Sequence, residues 1–295
     1  MAGAGRRLSQ ALGGRSELRT QAVRLALYSS AATIGGFAAY WTLLAMRQGP
    51  MLFNARKLPV VHLSDAFSTY SHVVPGGMVR GYVYHPQGEE ALQDLFVYFA
   101  GRGEDVRATA QALHWLPEGF GFAAVNYRGV ADSEGHPSEI ASVQDARRLA
   151  SHLRKAFPNA RLHIVGRSLG TGVAIQLAAG QQQFASLQLV TPYDSLLEVV
   201  KLRFPLVPLS LLMRHRFDSL EHSKEVAAKT QVLLAEQDVV VPHEHSQRLI
   251  DAWPTPVSVE TIPGSDHHNI MKLEETWLRL VDFALGAVIP AAKTA

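Results

Sequence analysis

LHIVGRSLGTGVAIQLAAG, Leu162–Gly180, decides how the rest of the chain is read. Its left half is a short apolar run. Its right half is small and apolar at helical spacing, so the pair reads as strand, turn, helix. Between them lies Gly166-Arg167-Ser168-Leu169-Gly170. A sharp strand-to-helix turn strains its central residue, and side chains two positions to either side would collide with neighbouring backbone, so glycine is favoured at both. Such a turn lifts the Ser168 hydroxyl out of the sheet. It also leaves the Leu169 backbone N–H at the start of a helix, where it can meet a developing oxyanion with help from the helix dipole.

A serine is a weak nucleophile without a base, and the base needs an orienting acid. On a parallel sheet both are expected later in the chain, on loops after strands. VLLAEQDVVVP supplies the acid: Asp238 three residues beyond an apolar run ending at Ala235, with Glu236 as the runner-up. TIPGSDHHNI supplies the base. The strand 257–262 is expected to end at Pro263, Gly264-Ser265-Asp266 to turn, and the adjacent His267 and His268 to follow. The His243-Glu244-His245 pair lacks the further ligands of a metal site and reads as a solvated helix start. His163 lies inside a strand and His152 on a long helix, so neither is well placed.

The flanking sequence repeats the strand-then-helix rhythm. Strands are expected at Val79–His85, Leu95–Ala100, Phe122–Asn126, Leu162–Val165, Leu187–Val190, Val232–Ala235 and Val257–Ile262. Helices are expected at Glu104–Leu116, Glu139–Phe157, Leu169–Ala179, His243–Ala252 and Met271–Leu285. Units of this length give a mostly parallel, doubly wound sheet covered on both faces. The segment 191–230 breaks the rhythm. It contains KLRFPLVPLSLLMRHRF, Lys201–Phe217, and reads either as a small lid or as a helical connector packed on the core.

The 295 residues carry a net charge of +2, which argues against nucleic acid as a partner. Cysteine is absent, which removes disulfides, thiolate catalysis and zinc–thiolate sites. Residues 1–24 form a basic N-terminus. Leu25–Met46 is 22 residues without charge, about 33 Å as a helix, and reads as a transmembrane anchor. A cleaved signal peptide, a buried helix, or a start at Met46 or Met51 are the rivals. Five arginines precede the segment and three basic residues follow it, which places the remainder on the outer side of a membrane. Residues 47–64 read as a linker, 65–287 as the folded domain and 288–295 as a tail.

With serine, acid and histidine in this order, the chain resembles the α/β-hydrolase superfamily over about residues 65–287. The resemblance is nearest to bacterial membrane-anchored or exported hydrolases of the serine-aminopeptidase-like group. NYRGVADSEGHPSE (Asn126–Glu139), GRSLGTGVA, TPYDSL (Thr191–Leu196) and EQDVVVP carry it. It implies Ser168 as nucleophile and Asp238 as acid, and favours His267 as base, with His268 as the alternative. It also implies backbone N–H groups of Arg102 and Leu169 as the oxyanion hole. FAGRGED (Phe99–Asp105) departs from the group, because Arg102 stands where relatives often carry asparagine. The expected chemistry is acyl transfer to water from a small ester or related acyl substrate, with no metal or organic cofactor. An amidase or aminopeptidase, or a membrane-tethered scaffold without chemistry, are the competing expectations.

Overall fold

The computed structural model describes residues 24–286, apart from positions 26, 31, 34, 38, 44, 45, 60, 61, 86–91 and 182. The chain divides into two compact units, Met1–Arg47 and Gln48–Ala295. In the first unit the described positions are helical. Among the described residues no helix is long and apolar enough to cross a membrane, and six positions of the expected anchor lie outside them.

The second unit is built on eight strands: β1 (Phe67–Val74), β2 (Gly77–Tyr84), β3 (Asp94–Phe99), β4 (Phe120–Val125), β5 (Arg161–Arg167), β6 (Ser186–Val190), β7 (Thr230–Gln237) and β8 (Ser258–Asp266). Their order across one sheet is β1-β2-β4-β3-β5-β6-β7-β8. β1 and β2 form an antiparallel hairpin and β2 runs antiparallel to β4. From β4 to β8 the pairing is parallel. The central strands have to be apolar on both faces because helices cover both, and every residue of β3, β4 and β6 is buried.

The helices are α1 (Val106–Thr109), α2 (Glu139–Ala156), α3 (Leu169–Ala178), α4 (Leu196–Arg203), α5 (Leu209–Leu212), α6 (Ser219–Ser223), α7 (His243–Asp251) and α8 (Glu274–Leu285). α2 starts where the sequence sets an N-cap: the Ser138 hydroxyl accepts the Ala141 N–H at 3.1 Å. Its buried stripe of Val143, Ala146, Leu149, Ala150 and Leu153 faces the sheet. The helix expected over Glu104–Leu116 is shorter and tighter: α1 gives way to a 3-10 turn over Ala110–Trp115.

The two edges of the sheet also differ from the sequence expectation. β1 was not anticipated; its FSTYSHVV is mostly exposed, so it lacks the apolar signature of a buried strand. β7 and β8 both run further than expected, to Gln237 and Asp266. Gly264, in the left-handed region at φ +67°, and a register irregularity between Ala235 and Gln237 let β8 pass Pro263 instead of turning there. Asp238 and His267 therefore each follow directly on a strand end.

Within 47–64, expected as a linker, residues 48–53 are helical and pack on the sheet's covering layer. Phe53 is wholly buried, edge-on to Tyr127 (5.1 Å between ring centres) and tilted against Phe217 (6.0 Å). The Gln48 side chain both donates to the Leu212 carbonyl and accepts the Arg214 N–H. Ala131 N–H donates to the Arg56 carbonyl at 2.9 Å. This strap crosses from the segment after α5 to the loop after β4.

Candidate active site

Ser168 sits at the corner between β5 and α3 with φ 49° and ψ −118°, a left-handed conformation that a residue with a side chain holds only under strain. Its N–H is tied to the Val190 carbonyl of the neighbouring strand at 2.9 Å. The two flanking glycines have separate reasons. A Cβ on Gly166 would lie 2.8 Å from the Ala174 Cβ and the Thr171 Cα, inside the first turns of α3. A Cβ on Gly170 would run into the Phe99 carbonyl at the end of β3. The absent side chains let α3 start hard against β5 and β3, at the Phe99–Ala100 backbone from which the loop carrying Arg102 leaves.

That loop is fixed by side chains. The Tyr127 hydroxyl donates to the Ala100 carbonyl at 3.0 Å, and the Gly101 N–H donates to Glu104 Oε2 at 2.9 Å. Arg102 turns its guanidinium away, donating to the Met51 carbonyl of the strap at 3.0 Å.

His267 is buried at the end of β8 and faces Ser168. Its Nε2 lies 2.9 Å from Ser168 Oγ, and its Nδ1 lies 2.8 Å from Asp238 Oδ2. Asp238 is held in turn by the N–H groups of Val240 (2.9 Å) and Val241 (2.8 Å), both on Oδ1. Burial pushes the Asp238 carboxyl up, but the His267 hydrogen bond and charge, with those two N–H groups, outweigh it and hold the group below the usual carboxylate range. It is therefore an anion at neutral pH, suited to hold an N–H on Nδ1 and leave Nε2 free to accept the serine proton.

The alternatives lie elsewhere. His268 is exposed, its ring centre 5.7 Å from that of His267, and it does not reach Ser168. Glu236 is exposed and accepts the Gly264 N–H at 2.9 Å, bracing the β8 irregularity. His243 and His245 part company: the first bonds the Ala235 carbonyl, the second bonds Asp194. Among the described residues no group of three His, Cys, Asp or Glu is arranged to hold a metal.

Two residues that the sequence reading passed over join the parts. Arg167, inside the elbow, donates from Nη1 to Glu104 Oε2 at 2.7 Å and from Nη2 to the His267 carbonyl at 2.6 Å. Glu104 also accepts from Tyr98 and Thr109 hydroxyls and from Gly101 N–H. Burial raises the Glu104 carboxyl, yet Arg167 and these donors outweigh it and keep it ionised below the usual range. One ion pair thus links the Gly101–Arg102 loop, the serine corner and the histidine backbone. The available signal was an arginine at the end of a mostly buried strand, which demands a partner.

A second Ser–His–Asp chain shows what distances alone omit. His163 lies 2.8 Å from both Ser186 Oγ and Asp94 Oδ1. All three are at most 2% exposed and sit toward the amino ends of β3, β5 and β6, away from where ligands enter such sheets. Ser168, by contrast, is partly exposed at the carboxyl ends.

A sheet of this topology with a serine presented at a strand–helix corner defines the α/β-hydrolase superfamily, and the chain belongs to it. Residues 91–196 match the family described as serine aminopeptidase, S33. An uncharacterized Mycobacterium tuberculosis protein is 35% identical over 198 residues, 65% of this chain and 69% of its own length. A lysophosphatidylserine lipase of Danio rerio is 29% identical over 213 residues, 61% of this chain and 54% of that protein. Among solved structures, a thermostable carboxyl esterase from Bacillus coagulans superimposes with a TM-score of 0.58 at 16% identity, over 75% of this chain and 100% of the esterase.

Proposed function

We propose that the protein is a serine hydrolase that cleaves an ester or related acyl bond through an acyl-enzyme. The observation that carries this reading is the hydrogen-bonded run from Asp238 through His267 to the strained Ser168, at 2.8 and 2.9 Å. His267 Nε2 takes the Ser168 proton as Oγ attacks the carbonyl carbon. Asp238 stabilises the imidazolium. Backbone N–H groups of Leu169 and Arg102 receive the tetrahedral oxyanion. The imidazolium then protonates the leaving group, and water repeats the steps on the acyl-enzyme to return a carboxylic acid and free serine.

The esterase assignment is supported by the similarity to a lipase, whereas the match to serine aminopeptidases supports amide cleavage. A fluorophosphonate probe and a panel of p-nitrophenyl esters and aminoacyl p-nitroanilides test both. The expected result is covalent labelling of Ser168 with turnover of esters well above anilides. Anilide turnover above ester turnover would move the protein to the peptidase side, and a folded chain that neither labels nor turns over either class would overturn the hydrolytic reading.

We further infer that residues 25–46 anchor the protein in a membrane with the hydrolase domain on the outer side, from the uncharged stretch and the basic residues before it. A reporter fused after Ala295 is expected to be active only on the outer side; activity on the cytoplasmic side reverses the orientation.

A further inference from the structure

The segment 191–230 is anchored at its base and bare at its tip. Tyr193, Leu197, Met213 and Phe217 are buried. Between them the chain exposes Leu202 (58%), Phe204 (55%), Leu206 (96%) and Leu211 (87%). Val239, beside the acid Asp238, is 81% exposed, and Arg203 donates to its carbonyl at 3.3 Å, so the acid loop adjoins the end of α4. An open groove of about 730 Å³ lies in the same region, lined by Leu202, Pro205, Val207, Leu209, Pro242 and Arg248 among others. Single exposed leucines are ordinary; a cluster of large apolar side chains on one projecting segment marks an interaction surface.

The charge of this surface says what covers it. From Val199 to Phe217 there is no acidic residue, while Lys201, Arg203, Arg214 and Arg216 are basic. Lys201 pairs with Glu198 at 2.7 Å, and Glu244 also lines the groove. Arg203 and Arg216, however, donate to backbone carbonyls, those of Val239, Met213 and Ser210, which orient the guanidinium without neutralising it. Apolar side chains at the tip with unneutralised arginines behind them are the pattern of a segment that sinks into the headgroup region of an anionic bilayer.

We propose that the tip of this segment, Leu202–Leu211 with Val239, docks onto the surface of an anionic phospholipid bilayer, the arginines meeting the headgroups. The docking stands apart from the Ser168 chemistry and holds in a chain with no turnover. It places the rim of the acid loop against lipid.

The chain has no cysteine, so a single introduced one reports only its own position. Leu206→Cys and Leu211→Cys, each in the full chain and labelled with an environment-sensitive fluorophore, are mixed with phosphatidylglycerol-containing vesicles and with pure phosphatidylcholine vesicles. Val73→Cys, 78% exposed on the opposite edge strand, is the reference. The expected result is a blue shift with a several-fold intensity rise at 206 and 211 in the anionic vesicles, quenching there by lipids spin-labelled near the headgroup, and no change at 73. Arg203→Glu combined with Arg214→Glu should remove the shift. Labels at 206 and 211 that stay water-like while the chain floats with anionic vesicles would overturn the proposal. So would equal shifts in both lipids, equal shifts at all three positions, a shift that survives the charge reversals, or a shift without vesicles that grows with protein concentration, which would assign the surface to a second copy of the chain.

Discussion

Ser168→Ala and His267→Ala are each expected to lower acyl-substrate turnover by about six orders of magnitude, and combining them to cost little more, if the two groups act as one unit. Asp238→Asn is expected to lower kcat by about four orders, since an amide at that position favours the wrong imidazole tautomer while leaving the geometry in place. The measurement is kcat on the best ester found, against the three single variants and the Ser168–His267 double, with far-UV circular dichroism as the check on folding. The result that counts against the assignment is a Ser168→Ala chain that keeps most of its turnover. Multiplicative losses in the double variant would show that serine and histidine act in separate steps. The same substitutions in the buried set, Ser186→Ala above all, leave kcat within a few fold, because Asp94, His163 and Ser186 are closed to solvent.

The second large effect is on stability. Arg167→Met leaves the Glu104 carboxylate in a largely buried position with its cation removed, and breaking such a pair from one side costs about 3–5 kcal/mol. Glu104→Gln strands the Arg167 guanidinium in turn, but less severely, because that cation still donates to the His267 carbonyl and the amide oxygen can still accept from Tyr98 or Gly101. The double Arg167→Met, Glu104→Gln should recover most of the loss, since no buried charge remains unpaired. Urea denaturation of the four chains gives the coupling directly; a loss in the double equal to the sum of the two single losses would show that the pair is not linked. Turnover should fall in Arg167→Met even where the chain is folded, because the His267 carbonyl loses its donor and the Gly101 loop loses its brace.

The elbow was legible because its chemistry is local. Five residues contain the glycines, the serine and the helix start, and the collisions that a Cβ at Gly166 or Gly170 would meet are with neighbours in the same turn or the next strand. Asp238 and His267 were legible one step removed, as the polar residues where apolar strands stop. Their exact offsets from the strands were not, since the extension of β8 past Pro263 depends on pairing Gln237 with Asp266, which no local pattern announces. The Arg167–Glu104 pair joins positions 63 apart in the chain, and nothing near either residue names the other. Nor do hydrogen-bond distances distinguish Ser168 from Ser186: each bonds a histidine that in turn bonds an aspartate. What separates them is which end of the sheet each occupies.

Phe53 gives a practical rule for anyone shortening the chain to obtain a compact, well-behaved fragment. A cut after Arg56 would look safe by composition, yet it would leave Tyr127 and Phe217 facing an empty trough, and would strip Arg102 of the carbonyl that parks its guanidinium. Fragments should keep everything from Gln48 onward; shorter ones would be expected to aggregate or to misreport the catalytic competence of the intact molecule.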